Sequence, residues 1–172
     1  RWRWIDHAEY GALNALLYQS GLIDGYQQWL SNPDTAMWMV ILADVWKMTP
    51  LVEILVLAAL QGISREQVEA ARVDGAGIVA TFRYVVLPLL TPTLLIVLVL
   101  RTMEAFKVFD IIWIMTNGGP ANATQSIAIY AYQTAYRSYD FGRGAALGYL
   151  IAVAIMVLAA IYLRLLGRVG RS

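Results

Sequence analysis

The residues with the most chemistry to offer lie where charge is expensive. Asp44 and Lys47 are three apart inside one apolar run, and Arg101 with Glu104 and Lys107 with Asp110 repeat that spacing in a second. Residues three apart share a helix face, so each couple is placed for an ion pair. A charge at the centre of a membrane helix costs on the order of 2.5–3.5 kcal/mol on insertion scales, so such side chains face protein or water. Two roles are open. The groups line a polar path and hydrogen-bond solute hydroxyls, with Trp46 or Phe106 as a stacking face, or they pair internally and stabilise packing. Pro50, between Lys47 and Glu53, kinks the first run and frees backbone groups; in transporters such a break often faces a cavity.

Other chemistries lack their parts. The absence of cysteine excludes disulfides, thiolate nucleophiles and Cys-based zinc sites, and a single histidine, His7, leaves little for a His-based metal site. No nucleophile is paired with a base in the apolar runs, as an intramembrane enzyme needs. No GxxxxGK[ST] occurs, so the chain itself is expected to bind no ATP and no other cofactor. A net charge of +1 gives no electrostatic case for nucleic acid.

The elements that position these residues follow from hydropathy. Hydrophobic residues make up 59% of the chain and charged ones 15%, against about 25% charged in soluble domains. The charge is unevenly spread and leaves three apolar segments, 36–60, 87–115 and 144–166. We predict a transmembrane helix in each, the second with an outer extension, because a helix satisfies its own backbone groups in lipid. Asn32 caps the first and Pro33 suits its opening turn. Residues 145–163 hold no charge and cover roughly 28 Å, close to the bilayer hydrocarbon thickness. Gly144, Gly148 and Ala152 form a stripe of small residues suited to close helix packing. The predicted fold is all-α, a polytopic transmembrane helical bundle. The sequence opens at Arg1 with no initiator methionine or signal pattern and reads as the C-terminal part of a longer protein.

Alternating loops put 1–35 and 116–143 on one side, 61–86 and the tail 167–172 on the other. Arg65, Arg72, Arg83, Arg164, Arg168 and Arg171 oppose Arg1, Arg3, Lys107, Arg137 and Arg143. That balance only slightly favours 61–86 as the cytoplasmic loop. The opposite loops are rich in aromatics, among them Trp2, Trp4, Trp29, Tyr132, Tyr136 and Phe141. They suit an interfacial lid, a docking surface or simple belt anchoring. Thr116-Asn117-Gly118-Gly119-Pro120 is a strong turn signal.

The loop before the second segment reads SREQVEAARVDGAGIVATFRYVVLP over residues 64–88. Ser64 and Gln67 make a capping box, so a helix starts at Arg65. Val68, Ala71 and Val73 are its apolar members. Gly75 stands where positive φ ends a helix. A second short helix then runs toward Pro88, which restricts Leu87 and marks the entry to the span. A short helix held at both ends is a rigid peg, able to transmit force.

These residues also carry a resemblance. Glu69-Ala70-Ala71, Gly75, Val85 and Leu87-Pro88 are spaced as in the EAA loop of binding-protein-dependent importer permeases, with Val85 where the family usually has Ile. Asp74-Gly75-Ala76 is similar to the variant of the carbohydrate branch, as are Leu57-Ala58-Ala59-Leu60-Gln61 with Ile63, and Thr116 with Gly118-Gly119-Pro120 and Thr124. The chain thus resembles the type I permeases of ATP-binding-cassette importers, closest to those for maltose, trehalose and glycerol-phosphate. The resemblance implies a permease of a bacterial or archaeal cytoplasmic membrane, without catalysis of its own. Its partners would be two cytoplasmic ATPase subunits that bind the ATP, a second homologous permease, and a periplasmic or lipid-anchored solute-binding protein. It further implies that Glu69 pairs with a basic group on the ATPase, that Ala70 and Ala71 allow close approach, and that Gly75 sets the bend. Asp74, Ala76, Leu87 and Pro88 complete the docking set. The rival class is a secondary transporter driven by an ion gradient, whose marks are interrupted helices and inverted repeats.

Overall fold

A computed structural model describes residues 2–169, with side chains through Tyr162 and at Arg164. Arg1, Arg171 and the side chain of Arg168 lie outside the described residues. The described residues are all-helical: α1 (Trp2–Ile5), α2 (Ala12–Gln19), α3 (Pro33–Gln61), α4 (Arg65–Val73), α5 (Ile78–Thr81), a π-helical turn (Phe82–Val86), α6 (Leu87–Phe106), α7 (Asp110–Met115), α8 (Ile127–Tyr136) and α9 (Phe141–Val169). Among the described residues, two stretches are long and apolar enough to cross a membrane, Ile78–Phe106 and Phe141–Tyr162. Only 11% and 6% of those windows are buried within the chain, so their apolar faces are left for lipid or another subunit. α3 has the same 29 residues as α9, but Asp44, Lys47 and Glu53 interrupt its apolar run.

Several boundaries differ from those expected. The second segment is not one helix to residue 115: α6 stops at Phe106 and α7 begins at Asp110. The Val108 carbonyl, left over at the break, accepts from Ser126 Oγ at 2.9 Å. The same Ser126 oxygen caps α8 by accepting from Ile129 N at 3.2 Å. One hydroxyl thus closes a gap and starts a helix. Pro88 stands at the start of α6, as expected, directly after the π-helical turn. Residues 167–169, expected in the tail, continue α9.

The chain divides into two compact units, 1–47 with 105–154 and 48–104 with 155–172. In the first, Val40 and Ala43 of α3 meet Ile111, Ile112 and Met115 of α7 and Ile129 of α8 in a buried cluster. Asn32 Oδ1 accepts from Asp34 N at 3.0 Å, capping α3. Asn14 of α2 is fully buried and satisfied at every polar atom. Its Nδ2 donates to the Ala8 and Gln27 carbonyls at 3.0 and 2.9 Å, and its Oδ1 accepts from Gln27 N at 3.1 Å and Trp29 Nε1 at 2.7 Å. The small-residue stripe is used at one point. A Cβ on Gly144 would lie 2.6 Å from Ala135 Cβ of α8, whereas one on Gly148 would meet nothing within 4 Å. In the second unit, Leu90 and Val97 of α6 are buried, and Thr102 hydrogen-bonds Tyr162 of α9 at 3.1 Å.

Candidate coupling loop and solute path

The helix α4 is fixed at both ends by its own sequence. Ser64 Oγ accepts from Gln67 N at 3.4 Å. At the far end Ala76 N donates to Ala71 O at 2.9 Å and Gly75 N to Arg72 O at 3.0 Å. That pair of bonds is a Schellman motif, which demands a left-handed residue at Gly75; its φ is +84°. A Cβ at Gly75 would meet nothing within 4 Å, so the backbone alone requires the glycine. Glu66 at the start and Arg72 at the end complement the helix dipole.

Glu69, with Arg65, Val68 and Arg72, lines a cavity of about 320 Å³ closed by Leu60, Ile63 and Val86. Ala70, Asp74 and Gly75 are exposed, while Ala71 and Ala76 are half-buried. Leu87 and Pro88 stand exposed in the first turn of α6. Val73, one of the apolar members of α4, is 87% exposed. Ile78, at 87%, and Val79, at 79%, are as open, and Phe82 is half-exposed. Sequence reasoning passed over these three because apolar periodicity reports a buried face, whoever buries it. Past α5 the Leu87 N–H bonds back to Phe82 O, five residues away, forming the π turn. Thr91 Oγ1 donates to the Leu87 carbonyl at 2.8 Å.

The charges pair differently from their sequence spacing. Lys47 Nζ lies 2.6 Å from Asp110 Oδ2, a partner 63 residues away, rather than in an i,i+3 pair. Arg101 Nη1 reaches Glu104 Oε2 at 3.0 Å, as the spacing suggested. Asp44 is half-buried in α3. Trp46 is 70% exposed and meets Trp2 edge-on at 6.1 Å. Phe106 is exposed at the end of α6. Asp44, Trp46, Lys47, Phe106 and Asp110 fall in the first unit, and Arg101 and Glu104 in the second. Pro50 lies within unbroken helix and offers no N–H to the Trp46 carbonyl.

Sequence reasoning did not foresee how the aromatic residues of α7 and α8 join. Phe109 stacks on Trp113 at 5.4 Å, and Tyr132 stands edge-on to both, at 5.2 and 4.9 Å. Tyr136 and Phe141 extend the row, and the Arg137 guanidinium lies 5.7 Å from the Trp113 ring centre. Such edge-to-face contacts each add about 0.5–1.5 kcal/mol beyond burial.

A family model for the binding-protein-dependent transport system inner membrane component matches residues 10–171. The chain belongs to that family. Its members' permease names recur among curated relatives. The chain is 39% identical over 171 residues to a trehalose/maltose transport system permease protein of Thermococcus litoralis, covering 99% of this chain and 57% of that one. It is 37% identical over 163 residues to a sulfoquinovosyl glycerol transport system permease protein of Agrobacterium fabrum, covering 95% and 52%. This permease-family chain therefore spans little more than half the length of those relatives. Its fold is that of a crystal structure of a bacterial ABC transporter involved in the import of the acidic polysaccharide alginate, with a TM-score of 0.86, 24% identity, and coverage of 97% and 58%. A bacterial alginate ABC transporter crystallised with an alginate pentasaccharide-bound periplasmic protein matches at a TM-score of 0.81 and 25% identity, over 92% and 55%. As a family member the chain is a membrane component of a transport system rather than an enzyme.

Proposed function

We propose that this chain is part of the transmembrane permease of an ATP-driven importer for a sugar or related polar solute, in a bacterial or archaeal cytoplasmic membrane. Residues 61–86 dock on a cytoplasmic ATPase, and α3, α6 and α9 cross the bilayer. The observation that carries this reading is α4, clamped at both ends, beside three apolar side chains that the chain itself leaves bare. A stiff helix with an uncovered apolar crown is built to be gripped. Glu69, Ala70, Ala71, Asp74, Gly75, Ala76, Leu87 and Pro88 form the contact, and Val73, Ile78 and Val79 widen it. Two ATPase subunits, a second permease and a periplasmic or lipid-anchored binding protein complete the assembly. The relatives named for trehalose, maltose and sulfoquinovosyl glycerol support the solute class.

Within the first unit the Lys47–Asp110 pair with Asp44, Trp46 and Phe106 offers polar and stacking groups to the solute, and within the second unit Arg101 with Glu104 does so separately. A side chain that bonds a hydroxyl in passing must already be held, and ion pairing holds both partners.

Two outcomes test the assignment. Depleting ATP is expected to stop uptake, while an uncoupler that leaves ATP intact is expected to spare it; the reverse pattern would indicate a secondary transporter. A cysteine placed at Val73 is expected to react with a membrane-impermeant thiol reagent only from the cytoplasm, and one at Asn117 only from outside. Labelling in the opposite sense would invert the topology and sink the docking role.

A further inference from the structure

The N-terminal segment buries one acid without a partner. Asp6, just past the end of α1, is 3% exposed. Its Oδ2 is shut off from solvent and has no hydrogen-bond partner among the described residues. The charges around it do not compensate. Its own segment brings Arg3, His7, Glu9 and Tyr10, and none of them bonds the Asp6 carboxyl among the described residues; His7 Nδ1 accepts from Glu9 N instead. In α2 the only titratable group is Tyr18, and residues 28–31 and 115–120 carry none. In α7 there is Asp110, which is paired with Lys47. A carboxylate in such a place has lost its water and gained no donor. It must either take up a proton or move out to solvent.

The tethers around Asp6 decide what moves with it. Asp6 N donates to Trp2 O at 3.0 Å, which makes Asp6 part of the turn of α1. Just beyond, Gly11 N donates to His7 O at 3.0 Å, and a Cβ on Gly11 would collide with the Ile5 and His7 carbonyls. The chain is therefore folded tightly on itself, and the Asp6 side chain has little room to escape alone. The downstream end is tied, because the buried Asn14 Nδ2 holds the Ala8 carbonyl at 3.0 Å. The upstream end is held by packing. Trp2 rests on the cluster of Val40, Ile111 and Met115 and meets Trp46 edge-on. No side-chain hydrogen bond fastens α1 among the described residues. The part able to lift is thus α1 with Asp6, while residues from Ala8 onward stay in place.

We propose that Asp6 is a proton-operated latch: as the neutral acid it lets α1 seat on α3 and α7, and as the carboxylate it draws α1 off them into water. Burial and tethering carry this, and the coupling role of residues 61–86 plays no part in it. Burial pushes the Asp6 carboxyl up from 3.8 to about 6 in the seated segment; once released, the group ionises at its ordinary value. Seating is therefore tightest below 3.8, weakens as pH rises between the two values, and is weakest and level above about 6. From pH 5 to pH 7 the seated-to-released ratio falls about tenfold. Release uncovers Trp46 and the cluster beside the Lys47–Asp110 pair. Residues 1–35 share the outer side with Asn117 in the proposed topology, so the latch answers to the acidity of the medium.

The test is hydrogen exchange, read by mass spectrometry, on the assembled importer in lipid nanodiscs. Peptides covering residues 2–7 report the opening of the Asp6 N–H, with protection corrected for the intrinsic effect of pH on exchange. That protection is expected to fall about tenfold from pH 5 to pH 7, while the protection of residues 12–19 holds. Asp6→Asn has no proton to lose in that range and is expected to show equal corrected protection at both pH values. If the amide variant does not assemble, Asp6→Leu is read in the same way. His7→Gln is expected to keep the tenfold fall. The proposal is overturned if protection of residues 2–7 in the parent protein is unchanged or rises with pH, if the fall survives in the Asp6 variant, or if His7→Gln removes it.

Discussion

Gly75→Val is expected to abolish solute uptake while the protein still inserts in the membrane. Valine at a φ of +84° is a genuine outlier, because a β-branched side chain collides with its own backbone there. Holding it costs on the order of 1–3 kcal/mol, comparable to the two capping bonds that end α4. The helix would lose its stop, and the exposed crown at Val73, Ile78 and Val79 would lose its fixed position relative to Glu69. Glu69→Lys should act at the same surface by charge reversal, without touching the fold. For both variants the measurements are co-purification of the ATPase and initial uptake rate, each expected to fall at least tenfold. If both variants retain normal pull-down and normal uptake, the loop is a connector and the coupling role is lost. A further contrast separates strain from sterics. Gly75→Asn, whose side chain tolerates the left-handed region, should keep a large share of activity.

Asn14→Leu is expected to loosen the whole N-terminal segment. Leucine removes two accepted and three donated hydrogen bonds at once, the third a 3.5 Å contact to the His7 carbonyl. It leaves the Gln27 N–H, the Trp29 indole N–H and the Ala8 and Gln27 carbonyls to find other partners. Each buried group left unsatisfied costs about 1–3 kcal/mol. A loss of roughly 3 kcal/mol or more is expected for the variant, because some of these groups regain water. Limited proteolysis within residues 1–35 should accelerate, while cleavage of the second unit should not. Trp29→Phe removes only one of the five bonds and should show a smaller effect of the same kind. Equal proteolysis of Asn14→Leu and the parent protein would mean that the segment is held by its aromatic contacts instead.

What the sequence revealed of this molecule was local. The Ser64 cap, the Gly75 stop, the Asn32 cap and the turn after Met115 all depend on residues within a few positions of one another, and the structure has each of them. The Arg101–Glu104 pair was legible for the same reason. Lys47 was not: its partner Asp110 is 63 residues distant, and spacing along a helix cannot reveal a partner on another. The gap between Phe106 and Asp110 was hidden because Ser126, which stabilises it, is far along the chain. Asn14 and Asp6 passed unnoticed, since a polar residue inside a helix or beside one gives no sign of what surrounds it. Of the intramembrane charges, Arg101 and Glu104 were thus legible as a pair and Lys47 and Asp110 only as members of a set.

The π turn at Phe82–Val86 has a mechanical corollary. An α-helix rotates by about 100° per residue, and a turn closed over five residues holds one more than the ideal repeat. The azimuth of everything upstream, from Ile78 back through α4, is therefore offset from the phase that a regular helix through α6 would impose. Removing a single residue there would leave every named contact residue in the chain and still swing the peg through roughly a quarter of a revolution, so that it faced the wrong compass bearing.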